Sequence, residues 1–362
     1  MNSTDTHSTK ILWASKKKDG DVKVVVFSGT TPIGEYNTTV IRIPAKKKYI
    51  YTTTVTGLRP DSRYRYVVYF QGETKRGYFR TLPQVGMPMH FTIFGDNRSH
   101  PDIFRGVSKA ISWEKSSLAI STGDFCVNGN KLGSWRKQFF MPGDDLISFT
   151  TLWPVRGNHD GISSIYSAIF DLPGEELYYS FTASDVHFVI LDLKLKKRKE
   201  QMLLWLENDL RRSKSIWTIV LYHYPTFNAG GHGSDWGRED VYPILKKGDV
   251  DMVITGHSHI YERFLPIGAP GDKPIIFITT GGAGAPIHKA IENEALVSGR
   301  GYAETHYCQF YSHADTLAMK AKTPAGMVID DFRLIKKNGF YQQEIMGQVI
   351  SVEEAQKRLE SN

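Results

Sequence analysis

The run Val250-Asp251-Met252-Val253-Ile254-Thr255-Gly256-His257-Ser258-His259-Ile260-Tyr261-Glu262-Arg263 decides how the rest of the chain is read. Val253 and Ile254 close an apolar, strand-like segment, and Gly256 lets the backbone turn sharply where the strand stops. His257 and His259 then lie in a loop, because pairing on one helix face would need a spacing of four. Two imidazoles on one short loop can each face a different metal ion, or both face one. Alone, the pair fits two polar loop histidines better than a pair of metal ligands. The choice rests on whether other strands of the chain end in similar residues.

Length and composition narrow the possibilities first. A chain of 362 residues is enough for about two domains. With 41% apolar and 23% charged residues, it has the composition of a soluble globular protein. No segment approaches the ~18 unbroken apolar residues of a membrane span. The formal charge of +7 comes from lysines and arginines that are scattered or grouped in short runs at 16–18, 46–48 and 194–199. No helix carries a basic stripe with interleaved aromatics, so a solvated surface is expected rather than nucleic-acid binding. A positive field still favours an anionic substrate. The two cysteines, Cys126 and Cys308, do not make a disulfide framework. The first residues lack the basic and apolar regions of a secretory signal. That leaves a cytosolic protein, export by another route, or a chain that begins after a removed leader.

Taken in order, residues 1–9 are polar and expected to be loose. Residues 11–81 read as short strands (22–27, 39–43, 49–55, 64–70 and 78–81) with no helical pattern between them, which predicts a β-sandwich. Within it, Gly57-Leu58-Arg59-Pro60-Asp61-Ser62-Arg63-Tyr64-Arg65-Tyr66 resembles a fibronectin type III-like module. Such a module either faces substrate or a partner, or packs as an appendage. A linker rich in Pro and Gly follows at 82–88. The expected division is 10–83 for the sandwich, 88–345 for a second domain and 346–362 for a tail that is helical over 352–359.

Past the linker the pattern becomes α/β. Apolar strands end one after another in polar residues: 90–94 at Gly95-Asp96, 118–122 at Gly123-Asp124 and 153–156 at Gly157-Asn158-His159-Asp160. The series continues with 217–221 at Tyr222-His223, 252–254 at Gly256-His257 and 274–279 at Thr280-Gly281-Gly282-Ala283-Gly284. Residues 187–192 form a further strand. Helices are expected at 110–115 and at 199–212, where Leu203, Leu206 and Leu210 follow a helical spacing. After 301, strands at 307–311, 316–321 and 328–334 read as antiparallel. In such a design the ligand site lies where the carboxyl ends of the strands meet.

Asp96, Asp124, Asn158, His159, His223, His257 and His259 all stand at or near those ends. Carboxylates, an amide oxygen and imidazoles suit Mn, Zn, Fe or Ni. Two ions about 3.5–4 Å apart would share one carboxylate, hold a phosphate ester and supply hydroxide, since a metal lowers the pKa of water to ~7.

The ordered set Gly95-Asp96, Gly123-Asp124, Gly157-Asn158-His159-Asp160, His223 and Gly256-His257-Ser258-His259 resembles the calcineurin-like metallophosphoesterase signature. Leu177-Tyr178-Tyr179-Ser180-Phe181, His223-Tyr224-Pro225, the 256–263 and 279–284 segments and the preceding β-module narrow it to the purple acid phosphatase-like branch. The resemblance spans roughly residues 50–335. It implies a four-layer α-β-β-α sandwich preceded by a small all-β domain. It further implies a binuclear centre of divalent or mixed-valence Mn, Fe or Zn ions that hydrolyses phosphate esters, phosphomonoesters first, through a metal-bound hydroxide. By position, Asp124 would bridge the metals, Asn158, His223 and His257 would complete one site, and Asp96 and His259 would belong to the other. His159 would act as general acid on the leaving group, and Asp160 would either orient it or cap the loop.

The chain departs from that signature in two places. Where the wider family has a histidine two residues after the first Asp, Arg98 stands; where purple enzymes have an iron-binding tyrosine, Val127 stands. A tyrosinate–iron centre is therefore not expected. Water or His100 would have to fill the first site, and Arg98 is expected to contact the substrate phosphate or pair with a carboxylate. His232 would contact the leaving group or remain an exposed loop residue. Tyr261 and Arg263 line the pocket or pack, and Cys126 is a small buried residue or a ligand. Two alternatives stand beside the phosphomonoesterase. One is a phosphodiesterase, cyclic nucleotides included. The other is a non-catalytic binder of phosphorylated ligands or a partner, with a degraded first site.

Overall fold

Strands buried on both faces need nearly continuous apolar runs, and the segments 186–190, 217–221, 252–255 and 276–280 supply them. The computed structural model describes residues 4–16, 18, 22–43, 48–172, 177–192, 194, 198–269, 271–337, 339–341 and 348–360. In it these segments form the parallel centre of a six-stranded sheet ordered Tyr179–Ala183, Val186–Ile190, Trp217–Leu221, Met252–Thr255, Ile276–Thr280, Tyr261–Arg263. Alternate residues go to opposite faces. Phe188, Ile190, Ile219, Leu221, Met252 and Ile254 join the central core. Val189, Val220 and Val253 face a second core under the helices Lys199–Arg212, Tyr242–Lys247 and Val352–Glu360.

The facing sheet has seven strands in the order Thr151–Pro154, Leu118–Ser121, Met89–Phe94, Tyr307–His313, Thr316–Lys322, Val328–Lys337, Phe340–Tyr341. Its first three are parallel to one another. Phe91 meets Phe188 edge-on at 5.1 Å and Trp153 stacks on Phe181 at 3.9 Å, which locks the two sheets face to face. The helix Pro101–Trp113 covers the outer face through Phe104, Val107 and Ile111. The result is the expected helix–sheet–sheet–helix layering. That helix starts well before the expected 110, because Pro101 suits a first turn whose N–H groups have no intrahelical partner. The helix Ser163–Phe170 is short and was not foreseen.

Ahead of these layers the chain is all-β. A three-stranded sheet places Lys48–Val55 between Thr9–Ser15 and Thr38–Ile43, and a four-stranded sheet runs Thr31–Tyr36, Val22–Ser28, Arg63–Phe70, Glu73–Arg80. Ile11, Val24, Val26, Tyr64 and Phe79 fill the space between them. The strands Thr9–Ser15 and Thr31–Tyr36 go beyond the sequence reading. Residues 4–8 are not loose as expected: the Asp5 carboxylate accepts the N–H groups of His7 and Ser8, and the Asp5 carbonyl accepts that of Leu82. The sandwich docks on the layers where Tyr78 N–H and Tyr66 Oη donate to the Ser148 carbonyl at 3.0 and 3.2 Å. The linker is pinned by Asp185, whose carboxylate accepts Gly86 N–H at 2.9 Å. The boundary expected at 345/346 lies outside the described residues. No helix among the described residues is long and apolar enough to cross a membrane.

Asp251, fully buried just before the strand Met252–Thr255, gathers Lys273 at 3.0 Å, Lys336 at 2.7 Å and Tyr341 Oη at 2.7 Å. It stands at the opposite end of that strand from His257, about 20 Å away at the usual rise per residue. Asp251→Ala would leave two nearly buried ammonium groups unpaired. It is expected to cost about 3–5 kcal/mol in urea unfolding while metal binding by the folded variant stays at the wild-type level.

Candidate metal centre

The carboxyl ends of the parallel strands in both sheets point to one end of the sandwich. Asp96 and Asp124 follow strands of the seven-stranded sheet, and His223 and His257 follow strands of the six-stranded one. Asp96, Asp124 and His257 take left-handed backbone angles, with φ of 57°, 58° and 67°. Non-glycine residues adopt that region at a cost, and such strain collects at functional sites. Two glycines make the close approach possible. A Cβ on Gly157 would stand 2.2 Å from Asp124 Oδ1, and one on Gly256 would stand 2.5 Å from Asp96 Oδ2.

The first group of donors is Asp124, Asn158, His223 and His257. His223 Nδ1 lies 2.8 Å from the Thr122 carbonyl, which can only accept, so Nδ1 carries the proton. Its Nε2 lies 2.9 Å from Asn158 Oδ1 and 3.4 Å from Asp124 Oδ1, donating to them when the ring is charged and free to ligate when it is neutral. His257 Nδ1 approaches the same amide oxygen at 3.2 Å. Groups so close together need positive charge between them, which a protonated imidazole or a metal ion supplies. Burial lowers His223, but the carboxylates of Asp124 and Asp96 outweigh it and push the ring up to about 9. Burial, aided by His223, drives His257 down to about 3, which leaves that ring neutral and able to ligate. An amide oxygen, two imidazoles and a carboxylate therefore fit a divalent cation at this position.

The second group, Asp96, Asp124 and His259, is differently arranged. His259 Nδ1 donates to the Pro286 carbonyl at 2.8 Å, so its Nε2 is the free donor atom, 3.6 Å from Asp96 Oδ1. Asp96 Oδ1 is buried without a hydrogen-bond partner. Burial raises Asp96 well above the usual carboxylate range, with Asp124 adding to it and His223 opposing. Burial acts on Asp124 as well, but His223 and His159 overcome it and hold that carboxyl low. Arg98, expected to contact the substrate phosphate or pair with a carboxylate, places Nε 3.2 Å from Asp124 Oδ2 and Nη2 3.3 Å from His259 Nε2. The guanidinium lies between two of the three donors, so this group does not fit an ion as it stands.

Around the donors, His159 is a third exposed; its Nδ1 donates to the Val127 carbonyl at 2.9 Å, and its Nε2 faces Asp124 Oδ2 at 4.0 Å. The orientation expected from Asp160 thus comes from Val127. Asp160 accepts the N–H groups of Asp124, Phe125 and Gly157 at 2.7–2.9 Å and ties two ligand-bearing loops together. Burial and Asp124 push it up to about 7 against those bonds. His100 is exposed on the Gly284 carbonyl and does not reach the centre. His232 is exposed above it, 5.1 Å from the His257 ring and 5.4 Å from that of His259. Tyr261 and Arg263 pair with Asp330 in the packing, and Cys126 is fully buried.

Two residues near the centre were given no site role in the sequence. His288 stacks on His259 at 4.3 Å and accepts the His259 N–H at 3.2 Å; Tyr224 meets the His257 ring at 4.4 Å. Nothing in the spacing of His288 marks it, since it arrives through a glycine-rich loop from another strand. The glycines 281–284 serve close packing, not a phosphate cradle: a Cβ on Gly281 would stand 2.2 Å from the Ser258 carbonyl.

Gly157→Ala is expected to displace Asp124 and weaken metal binding at least tenfold in calorimetric titration, with the fold retained by circular dichroism. A second expectation concerns Glu262, which is fully buried and anchors the loop leading to His232 by accepting Gly230 N–H at 2.7 Å. Burial raises its carboxyl from 4.5 to about 7, although these hydrogen bonds oppose it. Between those values the folded chain holds a proton that the unfolded chain releases, so this contribution to stability falls as pH rises through the window. Glu262→Gln removes that dependence. Its stability relative to wild type should therefore rise by about 3 kcal/mol from pH 4.5 to pH 8, read from paired unfolding curves.

The pattern of the family described as calcineurin-like phosphoesterase matches residues 89–261. Purple acid phosphatase 18 of Arabidopsis thaliana is 31% identical over 150 residues, 39% of this chain and 32% of that protein. The probable purple acid phosphatase 20 of the same plant is 28% identical over 254 residues, 57% of this chain and 53% of that one. The matched segments thus span from about a third to about half of these relatives' length. The solved structure of a purple acid phosphatase from yellow lupin (Lupinus luteus) seeds has the same fold, with a TM-score of 0.77 at 18% identity, over 98% of this chain and 74% of that one. With its strand-end Asp, Asn and His residues gathered as described, the chain matches the calcineurin-like phosphoesterase family over residues 89–261 and is similar to purple acid phosphatases in sequence and fold.

Proposed function

We propose that this chain hydrolyses phosphate esters, with phosphomonoesters preferred, at a centre where Asp124, Asn158, His223 and His257 hold a divalent metal ion. The observation that carries the reading is the convergence of ligand-type atoms on Asn158 Oδ1, 2.9 Å from His223 Nε2 and 3.2 Å from His257 Nδ1, beside a partly exposed histidine. A divalent cation supplies Lewis-acid polarisation of the phosphoryl group and activates water at neutral pH. The chain's own residues do the rest. His159 has its Nδ1 proton fixed on the Val127 carbonyl, which leaves Nε2 as the atom that passes a proton to the departing oxygen. His232 stands on the exposed rim, where an imidazole can donate to a phosphoryl oxygen. Asp160 keeps the loops of Asp124 and Asn158 in register through backbone hydrogen bonds. The relatives' purple colour is not expected here, because Val127 offers no phenolate.

His159→Ala is expected to lower kcat on an alkyl phosphate about 10²-fold or more, with a smaller loss on p-nitrophenyl phosphate, whose leaving group needs no proton, and with metal content unchanged. The assay compares p-nitrophenyl phosphate with bis(p-nitrophenyl) phosphate after chelation and reloading with Mn, Zn or Fe. Turnover restored by metal and faster on the monoester supports the reading. Faster turnover of the diester would move the chain to the phosphodiesterases, and no turnover with any metal would leave a phospho-ligand binder.

A further inference from the structure

We propose that the guanidinium of Arg98 stands in place of the first metal ion, so that the chain binds one metal per chain and Arg98 is the second positive charge of the centre. This rests on the metal-dependent reading above and changes its stoichiometry. The two donor groups differ in how their atoms are satisfied. In the group of Asn158, His223 and His257, the amide oxygen meets two imidazole nitrogens, whose protons a metal ion can displace. In the other group the donor is already present. Arg98 Nε reaches Asp124 Oδ2 at 3.2 Å and Nη2 reaches His259 Nε2 at 3.3 Å, while His259 has given its Nδ1 proton to Pro286. An arginine stays charged at any working pH, so it behaves as a fixed cation.

The side chain is also held. Nη1 donates to Ser99 Oγ at 3.3 Å, and Arg98 N–H donates to the Asp124 carbonyl at 3.2 Å. The next residue, Ser99, has a left-handed φ of 78°, and the Arg98 side chain is only 14% exposed. An ion coordinated by both Asp124 Oδ2 and His259 Nε2 would have to displace the guanidinium from both partners. Of that donor group, Asp96 Oδ1 alone remains unpartnered. Removing the guanidinium therefore frees Asp124 Oδ2 and His259 Nε2, which with Asp96 Oδ1 make three donors available to an ion. A fixed cation there also suits a phosphate ester, since its planar N–H groups can share an oxyanion.

The test loads chelator-treated protein with excess Mn(II), removes free ion by gel filtration and counts metal per chain by mass spectrometry. Electron paramagnetic resonance on the same samples reports whether two Mn(II) ions are spin-coupled. The wild type is expected to hold one ion with an uncoupled six-line spectrum. Arg98→Ala and Arg98→His, the second of which exchanges the cation for a ligand, are expected to hold two with a coupled spectrum. Two coupled ions in the wild type would overturn this inference and leave the proposed function standing. So would a single ion in both variants when circular dichroism shows them folded. No bound metal in any of the proteins would overturn the proposed function and this inference together.

Discussion

The centre depends on one electrostatic constraint: electron-rich atoms from loops far apart in sequence are brought within hydrogen-bond distance of one another. Without a proton or a metal ion between them, Asn158 Oδ1, His223 Nε2, His257 Nδ1 and Asp124 Oδ1 would separate if the backbone allowed it. The backbone does not. Asp160 binds three N–H groups of the neighbouring loops, Thr122 fixes the His223 ring, and glycines at 157 and 256 remove the Cβ atoms that would push the carboxylates away. Left-handed angles at Asp96, Asp124 and His257 add strain that only a rigid surrounding can sustain.

That rigidity comes from the layers beneath. The six-stranded sheet is buried on both faces, and its inner face is keyed to the seven-stranded sheet by aromatic contacts such as Phe91 on Phe188. Strands fixed in this way end at one edge, so loops of a few residues can carry ligands with little freedom of their own. Charged groups that only stabilise, such as Asp251 with Lys273 and Lys336, lie at the other end of the same strands. The fold thus separates the residues that hold it together from those that do chemistry.

The two halves of the centre solve the same charge problem differently. Around Asn158 the acceptors call for an external cation, whereas around His259 the chain supplies its own through Arg98. The one-residue change in the first motif and the absence of a phenolate at Val127 act on the same half. On the inference drawn above, a centre so built would keep two positive charges with a single exchangeable ion.

The succession of strands along the chain and the strand-end polar residues proposed as donors were legible in the sequence, and the layering came through the family resemblance. Apolar runs that end in Gly-Asp, Gly-Asn-His or Gly-His mark where a buried strand stops and a polar loop begins, and that is a local property. So is the clash between Arg98 and the family signature. Where Arg98 points was not legible, because its partners Asp124 and His259 come from two other strand ends. The same holds for Asp160, whose proximity to His159 in sequence suggested an orienting contact that the Val127 carbonyl makes instead. His288 reaches His259 only because Ile276–Thr280 pairs with Met252–Thr255 and carries its loop across. Residue types and strand ends are set along the chain by hydrophobic period and turn chemistry. Which donor faces which, and whether a proton, an arginine or a metal stands between them, is decided only when the two sheets pack and bring distant loop ends to one place.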